Sequence, residues 1–163
     1  MKKTNEVIIL SGMPCSGKST WVNNYLLNPK NLYKSIFVLS RDSMRIALYG
    51  KKYRQNIKDE VLITVKFNET LYDLLKEDNV TIIIDNTNCK EGYIDSFIKK
   101  CKNTNITIMF FEVSFLTAMW RNITRYFNEG KWIPLNVMIR MKRQFNKIDK
   151  KKYAKNFSCS FIS

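Results

Sequence analysis

The 163-residue sequence predicts an α/β fold, a central parallel sheet flanked by helices. Three observations predict it. Short apolar runs read as buried strands, segments of helical period alternate with them, and a glycine-bearing loop joins the first strand to the first helix. Strands that alternate with helices need right-handed crossovers, and hence parallel neighbours.

The elements follow in order. Residues 7–10 (V-I-I-L) form a buried strand, and Gly12-Met13-Pro14-Cys15-Ser16-Gly17-Lys18-Ser19 leads from it into a helix over residues 20–27. Residues 36–39 read as a second short strand, followed by Ser40-Arg41-Asp42 and a helix over residues 43–49 that Gly50 closes. A charged loop covers residues 51–55. Residues 57–77 then carry apolar side chains at Val61, Leu62, Val65, Phe67, Leu71, Leu74 and Leu75, close to helical period. Val80–Ile84 is the clearest central strand and runs into Asp85-Asn86-Thr87-Asn88. A helix over 91–102, a strand over 106–113 and a helix over 117–127 come next. After a loop at 128–132 with Gly130, Pro134 opens a final long helix. The tail from 154 to 163 stands open between a further strand and irregular chain.

Length and an apolar content of 45% fit one domain with its own core. No stretch approaches the roughly 20 apolar residues of a membrane span, and Met1-Lys2-Lys3 leads into a strand rather than a signal peptide, so no membrane partner is expected. Cys15, Cys89, Cys101 and Cys159 form no CxxC pair, and histidine is absent. This argues against zinc, and it places the thiols in a reducing cytoplasmic or nuclear compartment. Without histidine, proton abstraction falls to a carboxylate, a lysine or water. Net charge is +14, which attracts polyanions, although a lysine-rich composition alone also produces such a surplus. Eight Lys or Arg and one acid, Asp149, lie between Arg140 and Lys155.

The loop at 12–19 matches G-x-x-x-x-G-K-[ST], the Walker A pattern of a P-loop. Backbone N–H groups of Gly12, Pro14's neighbours, Cys15, Ser16 and Gly17 would curl around the phosphates of ATP, with Thr20 in the first turn of the helix beyond. Lys18 would reach the β/γ-phosphates and Ser19 would offer its hydroxyl to Mg²⁺. Met13 and Cys15 fill positions of free identity. Asp85, at a strand end, reads as a second metal-facing group or as a turn residue.

The class narrows by three tests. No D-x-x-G occurs, and the guanine-reading match Asn146-Lys147-Ile148-Asp149 falls inside an expected basic helix. The strand ends in Asp85-Asn86, not Asp-Glu, so the carboxylate that activates water for hydrolysis is missing. Transfer of the γ-phosphoryl to an acceptor hydroxyl is the expectation. The fold class is therefore a P-loop kinase fold.

Five segments then resemble a family in the same order and at similar spacing: G-M-P-C-S-G-K-S-T-W, Ser40-Arg41-Asp42-Ser43-Met44-Arg45, Ile84-Asp85-Asn86-Thr87-Asn88, Arg121-Asn122-Ile123-Thr124-Arg125 and Ile133-Pro134-Leu135. Over residues 5–146 the chain resembles the 5′-kinase domain of phage-type polynucleotide kinase. The resemblance implies ATP-dependent phosphorylation of DNA or RNA 5′-hydroxyl ends, in nucleic acid end healing. It makes Asp42 the general base, and Arg45 the holder of the phosphate on the 3′ side of the accepting nucleotide. Arg125, on a helical lid over about residues 117–135, would bridge the β/γ-phosphates of the donor and stabilise charge during transfer. The turn Asn86-Thr87-Asn88 would face the acceptor, Thr87 touching its backbone, while Ile133 and Pro134 would pack on the terminal base. Where the family has S-D-T-N, this chain has D-N-T-N, so the acidic role stands open between Asp85 and a position now held by Asn86. The segment between Arg125 and Pro134 is also a little longer.

Physical reasons support these roles without the family. Asp42 and Arg45, three apart at a helix start, project on one side; an ordinary helix N-cap would also place an aspartate at 42. Arg121 and Arg125 repel each other at four residues' spacing, which an anion would relieve, or they form a solvated basic face. Trp21 is expected in the core, and Trp132 could stack on a base. The alternatives are a P-loop kinase of a small hydroxylated metabolite, or a nucleotide-dependent RNA-binding module. No D-x-D or K-x-D-G occurs, so a phosphatase or ligase acting with this chain would be a separate protein.

Overall fold

A computed structural model describes residues 5–31, 33–50 and 56–163. The expected charged loop at 51–55 and the lead-in at Met1-Lys2-Lys3 lie outside the described residues. The elements run β1 (Glu6–Ser11), α1 (Lys18–Leu27), a single 3-10 turn, β2 (Ser35–Leu39), α2 (Arg41–Tyr49), α3 (Ile57–Leu74), β3 (Val80–Ile84), α4 (Glu91–Lys100), β4 (Asn105–Phe111), α5 (Phe115–Glu129), α6 (Leu135–Asn146), α7 (Lys150–Ala154) and β5 (Ser158–Ile162). All strand pairs are parallel, in the order β2-β3-β1-β4-β5. The fold is the expected parallel α/β architecture. The open tail resolves into β5, which pairs Thr107 with Ser158 through Phe111 with Ile162.

Strand alternation splits the core into two layers. Val7, Ile9, Ile82, Ile84, Ile108 and Phe110 face one side, where α3, α4, α5, α6 and α7 contribute Phe67, Ile94, Ala118, Met138 and Tyr153. Ile8, Leu10, Ile83, Met109 and Phe111 face the other, against Val22 with Trp21 and Tyr25 of α1. Each fully buried β3 isoleucine contributes roughly 1.5–3 kcal/mol of transfer free energy. Trp21 is half-buried and stacks on Tyr25 at 5.0 Å.

Several expectations are corrected. α3 does not bury Val61, Leu62 or Val65, which are exposed; its inward stripe is Ile63, Phe67 and Leu71. Apolar residues sit on more than one side of this helix, and packing selects the stripe spaced by four. The long final helix breaks at Lys147 to Asp149, so the match starts on the last residue of α6, Asn146, and runs on into a helix junction rather than lying inside one helix. Val80–Ile84 is interior, but β1 occupies the middle of the sheet. That centre matters: the chain leaves β1 toward β2 on one side and returns to β4 on the other, so the loop after β1 sits at the topological switch point.

Candidate functional site

The loop after β1 is packed from both sides. A Cβ at Gly12 would lie 2.8 Å from the Phe111 Cβ and 2.8 Å from the Ser16 Oγ, so only glycine fits there. Cys15 and Gly17 take positive φ (60° and 97°), which turns the chain into a concave nest. Gly17 caps α1 with no side-chain bond to its first-turn amides, and no acid occupies that turn. These N–H groups are therefore open to an anion, with the helix dipole behind them.

Lys18 is buried and spends its protons inside the loop, donating to the carbonyls of Gly12 and Met13 at 2.8 Å and to the Ser16 Oγ at 3.2 Å. Burial lowers its pKa, opposed by Asp85 and other neighbours. Asp85, at the end of β3, is pushed up by burial and held back by Lys18, with the nearby Ser19 hydroxyl lowering it as well. Ser19 and Asp85 thus share one polar corner beside the nest, a donor set of hard oxygens that fits Mg²⁺. Cys89, buried nearby, has its thiol pushed up to about 11 by burial and stays protonated.

The opposite wall is built from side chains. Ser40 is the N-cap of α2, accepting from the Ser43 N–H, so Asp42 is not a cap; its carboxylate lies in the first turn and is 84% exposed. Arg45 donates to Asp42 and, through Nε and Nη2, to both carboxylate oxygens of Glu60 at 2.6 and 2.8 Å. Glu60 also accepts from Arg41 at 2.9 Å. The Arg45 guanidinium first, with Arg41, holds the Glu60 carboxyl at about 2, against an ordinary 4.5. Three of the five N–H groups of Arg45 are spent, leaving two for a ligand. Asn86 accepts the Arg41 N–H at 3.0 Å and so fixes the start of α2 against β3.

The remaining expected residues divide. Thr87 gives its carbonyl to the Gly12 N–H at 2.9 Å and keeps its side chain in the cleft. Asn88 is a correction: it is buried, and its amide donates to the Leu10 carbonyl at 2.8 Å, so it ties strand ends rather than meeting an acceptor. Arg121 reaches over the loop and donates to the Cys15 carbonyl at 3.2 Å, while Arg125 pairs with Glu129 of its own helix at 3.3 Å. Ile133 is half-buried and clamped by Asn122, whose amide donates to its carbonyl at 2.9 Å and accepts its N–H at 3.2 Å. Ile133 nonetheless lines the cleft, and Pro134 beside it is exposed there. Gly12's loop, Asp42, Arg45, Glu60, Asp85, Arg121, Arg125 and Trp132 all border one open cleft of about 2780 Å³, well beyond the roughly 300–1,000 Å³ of a small-molecule pocket.

Sequence reasoning missed Glu60 and Asn122. Glu60 sits in the first turn of α3, where an acid reads as a partner of the helix dipole. Asn122 was visible only as part of R-N-x-x-R; its complete burial inside α5 was the available signal, had the helix phase been drawn.

Residues 7–148 match the AAA domain family. The chain belongs to that family. As an AAA domain with this loop, it is a P-loop kinase-like nucleotide-binding domain. Its fold is similar to a chain of the solved Pnkp1/Rnl/Hen1 RNA repair complex (21% identity, TM-score 0.79), covering 93% of this chain and 47% of that one. The AAA domain described here thus spans about half the length of that relative. Chaetomium thermophilum Kti12, solved with ADP-AlF3, is similar over 96% of this chain and 88% of its own (16% identity, TM-score 0.69). Deoxyadenosine kinase from M. mycoides matches over 96% and 90% (16% identity, TM-score 0.59). Among the described residues, no helix is long and apolar enough to cross a membrane.

Proposed function

We propose that this AAA domain is a polynucleotide 5′-hydroxyl kinase, transferring the γ-phosphoryl of ATP to a DNA or RNA 5′ end in nucleic acid end healing. One observation carries the reading: across the cleft from the nest, an exposed carboxylate, Asp42, stands beside a guanidinium, Arg45, that Glu60 immobilises with two N–H groups to spare. A carboxylate there suits an acceptor hydroxyl, and a fixed guanidinium suits an acceptor phosphate. A neutral metabolite would need no such cation.

In this reading the nest and Lys18 hold the donor phosphates, Lys18 exchanging its loop carbonyls for phosphate oxygens. Asp42 takes the proton of the 5′-hydroxyl as its oxygen bonds the γ-phosphorus in line and the bond to ADP breaks. Arg121 lies over the loop, where charge gathers on the transferred group, and Arg125 is one turn further along the same face. Ser19 and Asp85 would hold Mg²⁺, which supplies charge neutralisation at the donor phosphates. Thr87, Asn86 and Pro134 border the acceptor side, and helix α5 with the following loop serves as the lid.

The test offers γ-labelled ATP in parallel to 5′-hydroxyl DNA, RNA, nucleoside 3′-phosphates, deoxynucleosides and sugar acids. Label on oligonucleotide 5′ ends, lost in Asp42→Asn, supports the reading. Label on a sugar or free nucleoside alone overturns it.

A further inference from the structure

The eight cations between Arg140 and Lys155 sort into two sets. Three are used inward: Lys142 donates to the Val113 carbonyl at 2.8 Å, Lys150 pairs with Glu112 at 2.6 Å, and Lys152 pairs with Asp95 at 3.2 Å. Arg140, Arg143, Lys147, Lys151 and Lys155 are exposed and, among the described residues, make no ion pair or side-chain hydrogen bond. Along α6, Arg140 and Arg143 follow the buried or half-buried Met138 and Met141 by two positions, as Lys147 follows Phe145, which places them on the outward side. No acid occurs in α6. The spacings of three, from Arg140 to Arg143, and of four, from Arg143 to Lys147 at the helix end, bring these like charges within mutual repulsion, a cost that an anion on this face removes; Lys151 follows beyond the junction, in α7.

The stripe also meets the cleft. Arg140 lines it, together with Val137, Met141 and Gln144 of the same helix. From Arg140 to Lys147 the helix rises about 10 Å, the reach of a few nucleotides.

We propose that Arg143, Lys147 and Lys151, entered from the cleft at Arg140, form a track for the phosphates of a single-stranded polynucleotide behind its accepting end. The inference deepens the polynucleotide reading and rests on it. A single strand suits the track because one row of cations serves one row of phosphates. The row meets the strand through its phosphates, which carry no sequence information, so the contact is independent of sequence.

The experiment measures binding of a fluorescein-labelled 5′-hydroxyl 15-mer by anisotropy from 50 to 200 mM salt, beside transfer kinetics. R143Q/K147Q/K151Q is compared with wild type and with K30Q/K99Q/K102Q, which removes equal charge from other exposed positions. The track variant is expected to bind about tenfold or more weakly at low salt, with its log–log salt slope shallower by about 2, at roughly 0.7 per cation. KM for a nucleoside 3′-phosphate and for ATP stays unchanged. Equal loss in the control variant, or an unchanged slope in the track variant, overturns the proposal. Stronger dependence of phosphatidylserine-vesicle binding on these residues than of 15-mer binding also overturns it. If the wild type transfers phosphate to no oligonucleotide, the kinase reading falls, while the binding arm still decides the track.

Discussion

The two walls of the cleft are made differently. The donor wall is backbone: one loop of eight consecutive residues, Gly12 to Ser19, that turns its free amides inward, with Lys18 folded onto its own loop. The wall proposed for the acceptor is side chains gathered across the chain, with Asp42 and Arg45 on α2 locked by Glu60 of α3. The difference teaches that phosphate binding can be encoded locally, whereas acceptor recognition depends on two helices docking in register. Changes on the donor wall should therefore abolish chemistry outright. Those on the acceptor wall should separate rate, acceptor affinity and stability from one another.

The largest effect is expected for Lys18→Ala, which removes the cation buried inside the nest. Transfer should drop at least 10²–10³-fold, the cost of losing one preorganised charge partner. Single-turnover assays with saturating ATP measure it, and activity within tenfold of wild type would remove Lys18 from the donor site. Next comes Asp42→Asn on the opposite wall. Turnover should fall about 10²–10⁴-fold while ATP affinity, read by calorimetry, is unchanged. Because Asp42 caps nothing and is exposed, its melting temperature should also hold, which separates a chemical role from a structural one.

The donor wall was readable from the sequence because its geometry is set by neighbours along the chain: Gly12 by crowding, Gly17 by its φ, Lys18 by the helix it opens. β1, β3 and β4 were readable for the same reason, being continuous apolar runs. β5, S-C-S-F-I, alternates polar residues on a sheet edge and needed its partner β4 to become a strand. The inward phase of α3 was hidden by Val61, Leu62 and Val65, which point outward. With the phase misplaced, Glu60 could not be aimed at Arg45. Asn122 was likewise unreadable as a clamp, since its partner Ile133 lies in a loop.

Glu60→Gln tests that long-range contact and should act in the middle range. The acceptor KM should rise about tenfold, with little change in kcat or ATP KM, because Arg45 loses its anchor rather than its charge. The partly exposed pair should contribute about 1 kcal/mol to stability near neutrality. Its pH dependence has a definite sign. Glu60 ionises at about 2 in the fold and near 4.5 unfolded, so its contribution is complete above about 5 and is lost as pH falls toward 2. Urea melts of both proteins across that window should converge at the acid end.

The smallest effect contrasts the two arginines of α5, which lie on the seam between the walls. Arg121 donates to the Cys15 carbonyl, whereas Arg125 is engaged by Glu129 on an exposed stretch of helix. Glu129→Gln frees Arg125 without touching the nest. If Arg125 must leave Glu129 to meet the donor, the substitution should lower the KM for ATP by about twofold, the small effect expected of an exposed pair on a helix. Arg121→Gln should instead raise it. A Glu129→Gln enzyme indistinguishable from wild type, beside an Arg121→Gln enzyme with weakened ATP binding, would assign the donor contact to Arg121 alone. The role that the family pattern gives to Arg125 would then pass to the arginine one turn earlier.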